Sequence, residues 1–157
     1  MIHLTPHRLS VALLQPQIAP NTGNVARLCV ATGTSLHLVR PMGFVLSDKQ
    51  IKRSAMDYWP RLDLTVHDDT EAFFTHIAPR RFWLFSSKGT TSHFQADFQD
   101  HDVLIFGSET AGIADAILQA HPHRTVRIPQ VEGERCLNLA TSVGIGLYEA
   151  LRVCTRS

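Results

Sequence analysis

The chain has 157 residues, 44% of them hydrophobic and 18% charged, with a formal net charge of +1. That length is enough for one domain with a real core, and the composition excludes a disordered or fibrous protein. No apolar run approaches the ~20 residues needed to span a bilayer, and Met1–Arg8 lacks the basic segment and long apolar core of a secretory signal.

The elements alternate along the chain. The apolar run Ser10–Leu14 reads as a buried strand. Pro20 and Asn21 punctuate its end, and Asn21 or Thr22 is placed to cap a helix over Thr22–Ala31. Arg27 then falls well inside that helix. A second strand is predicted at Ser35–Val39, a helix at Lys49–Met56, a strand at Leu62–Val66 and a helix at Thr70–His76. Strands at Phe82–Ser86 and Val103–Phe106 follow, the second running into a loop opened by Gly107 and closed by Gly112. A helix at Ala114–Gln119, a strand at Thr125–Ile128 and a helix at Asn138–Val153 complete the chain. Strands alternating with helices imply an α/β fold with a mostly parallel sheet covered on both faces. No linker divides the sequence, so residues 1–157 read as a single domain.

The closing helix contains two glycines, Gly144 and Gly146, beside Ala140 and Ser142. Each glycine costs about 1 kcal/mol relative to alanine inside a helix, so close packing or function must be the reason for them. Gly107-Ser108-Glu109-Thr110-Ala111-Gly112 is neither a dinucleotide fingerprint nor a phosphate-binding P-loop. The basic residues form three local clusters: Lys49, Lys52 and Arg53; Arg80 and Arg81; Arg124 and Arg127. Each cluster by itself is more often a solvated face than a nucleic-acid contact. Cys29, Cys136 and Cys154 are odd in number and far apart, and none of the nine histidines stands at metal-ligand spacing along the chain. The expectation is no metal, no disulfide and a reducing cytoplasm.

Several short motifs occur in order: Pro20-Asn-Thr-Gly-Asn24 with Arg27, Leu38-Val-Arg-Pro-Met-Gly-Phe44, Lys88-Gly89, Phe106-Gly-Ser-Glu-Thr-Ala-Gly112, Ile128-Pro129 with Leu137-Asn138-Leu139, and Tyr148-Glu149-Ala150. Each is weak alone. Together they resemble the SPOUT superfamily of RNA methyltransferases, and within it the YibK/TrmL-type tRNA 2′-O-methyltransferases, over nearly the whole chain. The resemblance implies a deep trefoil knot at the C-terminal end, where S-adenosylmethionine is held by three loops, here 85–89, 107–112 and 128–137. It implies methylation of the ribose 2′-hydroxyl of the wobble cytidine or uridine of tRNA.

Carried over residue by residue, the resemblance makes Arg27 and Asn21 the catalytic pair. A guanidinium stays protonated, so Arg27 would stabilise the developing alkoxide and grip a phosphate. Asn21 would orient Arg27 or the ribose. The cofactor would meet Phe85, Gly107, Glu109, Ile128, Cys136, Leu137 and Asn138. Glu109 would accept from the cofactor or from Arg27, and the small Gly107 would let the cofactor approach the backbone. Asn138 would brace the third loop or cap the closing helix. Many relatives carry serine where this chain has Cys136, a weaker hydrogen-bond donor. The resemblance also implies a homodimer in which Arg27 reaches toward cofactor held by the other subunit, with Gly144, Gly146, Leu147 and Tyr148 as a small-residue packing surface. Alternatives from the residues are a 2′-O-methyltransferase for another tRNA or rRNA site, a non-catalytic RNA-binding knot protein, and a flavodoxin-like or Rossmann-like nucleotide-binding domain. The missing phosphate loops disfavour the last.

Overall fold

The structure is a computed structural model that describes residues 2–47 and 56–155. Six strands form one sheet: β1 (Ser10–Leu14), β2 (Ser35–Val39), β3 (Leu64–His67), β4 (Phe82–Phe85), β5 (Val103–Phe106) and β6 (Thr125–Val126). Every pairing is parallel, in the order β3-β2-β1-β5-β4-β6. The helices are α1 (Ala19–Thr32), α2 (Thr70–Ile77), α3 (Asp115–Ala120) and α4 (Leu139–Cys154). The α/β architecture with a parallel sheet is therefore as expected. The predicted helix Lys49–Met56 and the cluster Lys49, Lys52 and Arg53 lie outside the described residues, except that Met56 opens a 3-10 turn running to Arg61.

Side chains alternate across each strand, which divides the core into two layers. Val11, Leu13, Leu36, Leu38, Leu104 and Phe106 pack under α1 and α4 with Val25, Cys29, Val143, Leu147 and Leu151. Ala12, Leu14, Val39, Leu84, Val103 and Ile105 pack under α2 and α3 with Phe73, Ile77 and Leu118. The continuous apolar runs of β1 and β5 follow from this. Both faces of these strands are covered, as in parallel sheets generally.

Three boundaries differ from expectation for physical reasons. Helix α1 starts at Ala19, three residues early, so neither Asn21 nor Thr22 caps it; Ile18 holds the cap position and no side chain of its own segment caps it. Proline is tolerated in the first turn, so Pro20 does not delay the start. The amides that lead into the helix are served from far away: Glu109 accepts from the backbone N–H of Gln17 and of Ile18, both at 2.8 Å, while the Asn21 and Thr22 amides turn back to the Ile18 carbonyl. Strand β6 ends at Val126, because Arg127 leaves β4 to bridge Ser92. Strand β3 is displaced toward its C-terminal side and takes in His67.

Candidate functional site

Ligand crevices in parallel sheets lie beyond the carboxyl ends of the strands, and one cavity here does. It has a volume of about 480 Å³. The residues just past β4, β5 and β6 line it, namely Ser86, Gly107 and Arg127, and the three segments 85–89, 107–112 and 128–137 all contribute to its wall. Phe85, Gly107, Glu109, Ile128, Cys136, Leu137 and Asn138 all border the cavity, and so does Asn21. Apolar groups are left open to solvent in this wall: Ile18 is 45% exposed and Leu137 37%. Such a mixture of apolar wall and free backbone is typical of a small-molecule site.

Each wall is held from beneath. Phe85 stacks on Phe106 with centroids 4.5 Å apart, and α4 lies directly on this pair. A Cβ at Gly146 would come 2.8 Å from Phe85 Cε1 and 3.2 Å from Phe106 Cζ, so only glycine admits the helix at this depth. Gly107 also has no room for a Cβ, but its neighbour is its own loop, the backbone of Gly112 and Ile113. The Cβ side of Gly107 is thus filled by its own loop, while the residue also borders the cavity. In the third loop the Gln130 side chain donates to the Arg135 carbonyl at 2.6 Å. At the rim Lys88 pairs with Asp115 at 2.6 Å. Both partners are exposed, so this pair adds little stability.

A polar bracket closes one end of the cavity. Asn21 Nδ2 donates to Glu109 at 3.2 Å, and Asn21 Oδ1 accepts from Asn138 Nδ2 at 3.0 Å. Asn138 Oδ1 in turn accepts from the Thr141 amide and caps α4. Three segments remote in sequence are tied through one buried asparagine. Both ends of the Asn21 amide are engaged in this bracket. Glu109 is engaged likewise, on Gln17, Ile18 and Asn21, and not on Arg27.

Arg27 is exposed and does not line the cavity. It stands six residues after Asn21, about 240° round the helix and about 9 Å along it, so the two side chains diverge. Its guanidinium lies 5.3 Å from the centroid of Tyr58, and that of Arg61 lies 5.1 Å from the same ring. Cation–π contact of this kind orients an arginine without neutralising it. Tyr58 and Arg61 were not among the expected site residues. Their only sequence signal is an aromatic and a cation flanking Trp59-Pro60 at a variable distance from α1.

The other basic clusters divide. Arg80 donates to the carbonyls of His101 and Arg8 and to Ser10 Oγ. Arg81 sits 3.2 Å from the buried Asp102 carboxylate. These two serve the fold and do not form a free cationic face. Arg124 lies over Trp83, while Arg127 is exposed at the cavity. On α4, Gly146 and Leu147 point into the core, whereas Thr141, Ile145, Tyr148 and Arg152 are exposed along one stripe. The packing surface expected at Gly146 and Leu147 is therefore internal, and Tyr148 is 51% exposed.

Away from the cavity, His37, His67 and His76 converge. The expectation of no metal-ligand set considered spacing along the chain, and these three come from two strands and a helix. Among the described residues, no helix is long and apolar enough to cross a membrane.

Residues 8–148 match the SpoU rRNA Methylase family. A protein of Methylovorus glucosotrophus named tRNA (cytidine(34)-2′-O)-methyltransferase is 46% identical over 143 residues, covering 90% of this chain and 93% of its own length. A solved structure described as giving insight into the 2-OH methylation of C/U34 on tRNA superposes with a TM-score of 0.91 at 43% identity. The match covers 95% of this chain and 97% of that one. An AdoMet-bound rRNA methyltransferase of Sinorhizobium meliloti superposes with a TM-score of 0.82 at 27% identity, and 58% of its length is matched. The resemblance drawn from the motifs is borne out, and with the family matched over almost its whole length, the chain belongs to the SpoU methylase family.

Proposed function

We propose that this protein is an S-adenosylmethionine-dependent 2′-O-methyltransferase acting on the wobble cytidine or uridine of tRNA, as a cytoplasmic homodimer. The observation that carries this reading is the convergence of three loops on one cavity beyond β4, β5 and β6, in a chain 46% identical to a relative named for that reaction. The residues present fit the cofactor. Phe85, Ile128 and Leu137 offer an apolar slot for an adenine, and the loops offer backbone donors and acceptors. The cofactor supplies an activated methyl group on a sulfonium, so the protein's task is chiefly positioning.

The chain's own residues divide that task. Asn21, held between Glu109 and Asn138, is a positioning residue: it fixes the start of α1 to the start of α4 across the cavity. Arg27 is the group offered to the RNA. Held over Tyr58 and beside Arg61, it stabilises the alkoxide that forms at the 2′-oxygen and holds an adjoining phosphate. Because Arg27 points away from the cavity of its own chain, the site is completed by a second copy, whose cavity faces this arginine. The exposed stripe Thr141, Ile145, Tyr148 and Arg152 is available to that contact. The knot is proposed with this assignment, the third loop being threaded so that residues 128–137 close over the cofactor.

The test is a methyl-transfer assay with unmodified tRNA transcripts, labelled cofactor and nucleoside mass spectrometry. Methylation at position 34, lost on mutation of that nucleotide, is the expected outcome. Since the family carries an rRNA description, an rRNA transcript belongs in the same assay; methylation of rRNA alone would replace the tRNA reading. Sedimentation that shows an active monomer would remove the shared site.

A further inference from the structure

We propose that His37, His67 and His76 form a binding site for a borderline divalent metal ion, Zn²⁺ foremost, that clips α2 to the β2–β3 edge of the sheet. His37 lies in β2 and His67 closes β3, in register with Val39. His76 comes from the last turn of α2. Their candidate ligand nitrogens all lie within 4.8 Å of one another. His37 Nδ1 and His67 Nε2 are already 2.9 Å apart. In a tetrahedral zinc site with bonds of about 2.0–2.1 Å, ligand nitrogens stand about 3.3 Å apart. The two buried rings therefore need only a small opening. His76 is exposed and already packs edge-on against both rings, with centroids 4.9 Å from His67 and 5.8 Å from His37.

The chemistry of the set selects the ion. Three imidazoles without a carboxylate suit Zn²⁺, Co²⁺, Ni²⁺ or Cu²⁺ and not Ca²⁺ or Mg²⁺. Metal ligation needs neutral imidazole, and burial holds His37 in that form, its pKa lowered to about 4. The proton between His37 and His67 need not be lost on metal entry. The donor ring moves its N–H to its other nitrogen, so both rings stay neutral. Phe73 closes the inner side, with ring centroids 5.7 Å from His37 and 5.3 Å from His67. The exposed side, at His76, leaves a position for water. Arg80 opposes a cation here and Asp63 favours one, since both act electrostatically on His37. Arg80 is drawn toward the carbonyls of Arg8 and His101. The site is thus a moderate one, expected in the micromolar range.

The untagged protein, stripped with EDTA and exchanged into chelator-free buffer, is titrated with Zn²⁺ by calorimetry and with Co²⁺ by visible absorption. One ion per chain, a tetrahedral Co²⁺ band without thiolate charge transfer, and a melting temperature that rises with Zn²⁺ concentration are expected. His76→Ala, at an exposed position, should weaken binding at least tenfold and remove the Co²⁺ band. His123→Ala, at an exposed histidine elsewhere, should change neither. Absence of saturable binding, binding that survives His76→Ala, or a Co²⁺ spectrum with thiolate character from Cys136 overturns the proposal.

Discussion

The two faces of the sheet are packed equally tightly but differ in what they leave available. Under α2 and α3 the layer is closed by aromatic and imidazole rings: Phe73 touches His37, His67 and Phe74 with centroids 5.1–5.7 Å apart. Under α1 and α4 the layer is closed by apolar side chains, but the helix starts carry a polar bracket that opens onto the cavity. One face spends its specific contacts on holding an edge strand. The other places its contacts where three loops meet. Substitutions on the first face should therefore lower stability and leave chemistry, whereas those at the helix starts of the second should change binding or chemistry, whatever they do to stability.

The largest effect that separates the faces is expected from Phe73→Ala. This fully buried ring should cost about 3–5 kcal/mol of unfolding free energy, measured by urea denaturation, while the folded fraction keeps its turnover. A large turnover loss in the folded fraction would break the comparison. On the other face, Arg27→Ala should lower methyl transfer by ~10²–10³, the loss typical of one preorganised donor, with an unchanged melting temperature and unchanged affinity for S-adenosylhomocysteine. Near-normal activity would remove Arg27 from the mechanism. Asn21→Ala should do the opposite of Arg27→Ala. It leaves Glu109 and Asn138 each short of a partner, a loss of about 1–3 kcal/mol, and should weaken cofactor affinity roughly tenfold in calorimetry.

The cysteines sharpen the contrast at smaller amplitude. Cys29 is buried and its thiol is pushed up to about 12 by that burial; Cys154 is pushed up to about 11 for the same main reason. Cys136 is exposed at the cavity. A thiol reagent at pH 8 should label Cys136 first, and S-adenosylhomocysteine should slow that labelling; unprotected labelling would place the cofactor elsewhere. For Cys29 the sign runs toward alkali. The unfolded thiol ionises near pH 8.5 and the folded one near 12. The stability contribution is complete below the first value and declines as pH rises toward the second. Denaturant midpoints should fall between pH 9 and 11, and less so in Cys29→Ala.

Much of this was legible in residue order, and what was not has a common cause. β1, β2 and β5 could be bounded to the residue because each is a short, mainly apolar run that is almost wholly buried. The cavity residues could be named because the motifs resemble those of a known family, and the three matched loops do meet at one cavity. Local signals failed wherever a distant group did the work. Asn21 looks like a helix cap because asparagine usually is one, but α1 already begins at Ala19, and Asn21 joins the bracket with Glu109 and Asn138 instead. Gly107 reads as room for a ligand, but the backbone of Gly112 and Ile113 against its Cβ side already requires glycine there. His37, His67 and His76 show no spacing because strand pairing and helix packing bring them together. Tyr58 shows no motif, and only the approach of its turn to α1 puts it beside Arg27.

The Glu109 contact bears on how the chain acquires its shape. The first turn of α1 closes locally, on the Ile18 carbonyl, but the two residues that lead into it find their acceptor only in a carboxylate some 90 positions later, on the loop after β5. Contacts across such separations are late and slow in folding. The amides of Gln17 and Ile18 should therefore gain hydrogen-exchange protection during refolding no earlier than β1 pairs with β5, whose partners are equally far apart in sequence. In ribosomal synthesis the same residues would stay open until the second half of the chain has emerged, so the site's ends meet only when nearly the whole molecule exists.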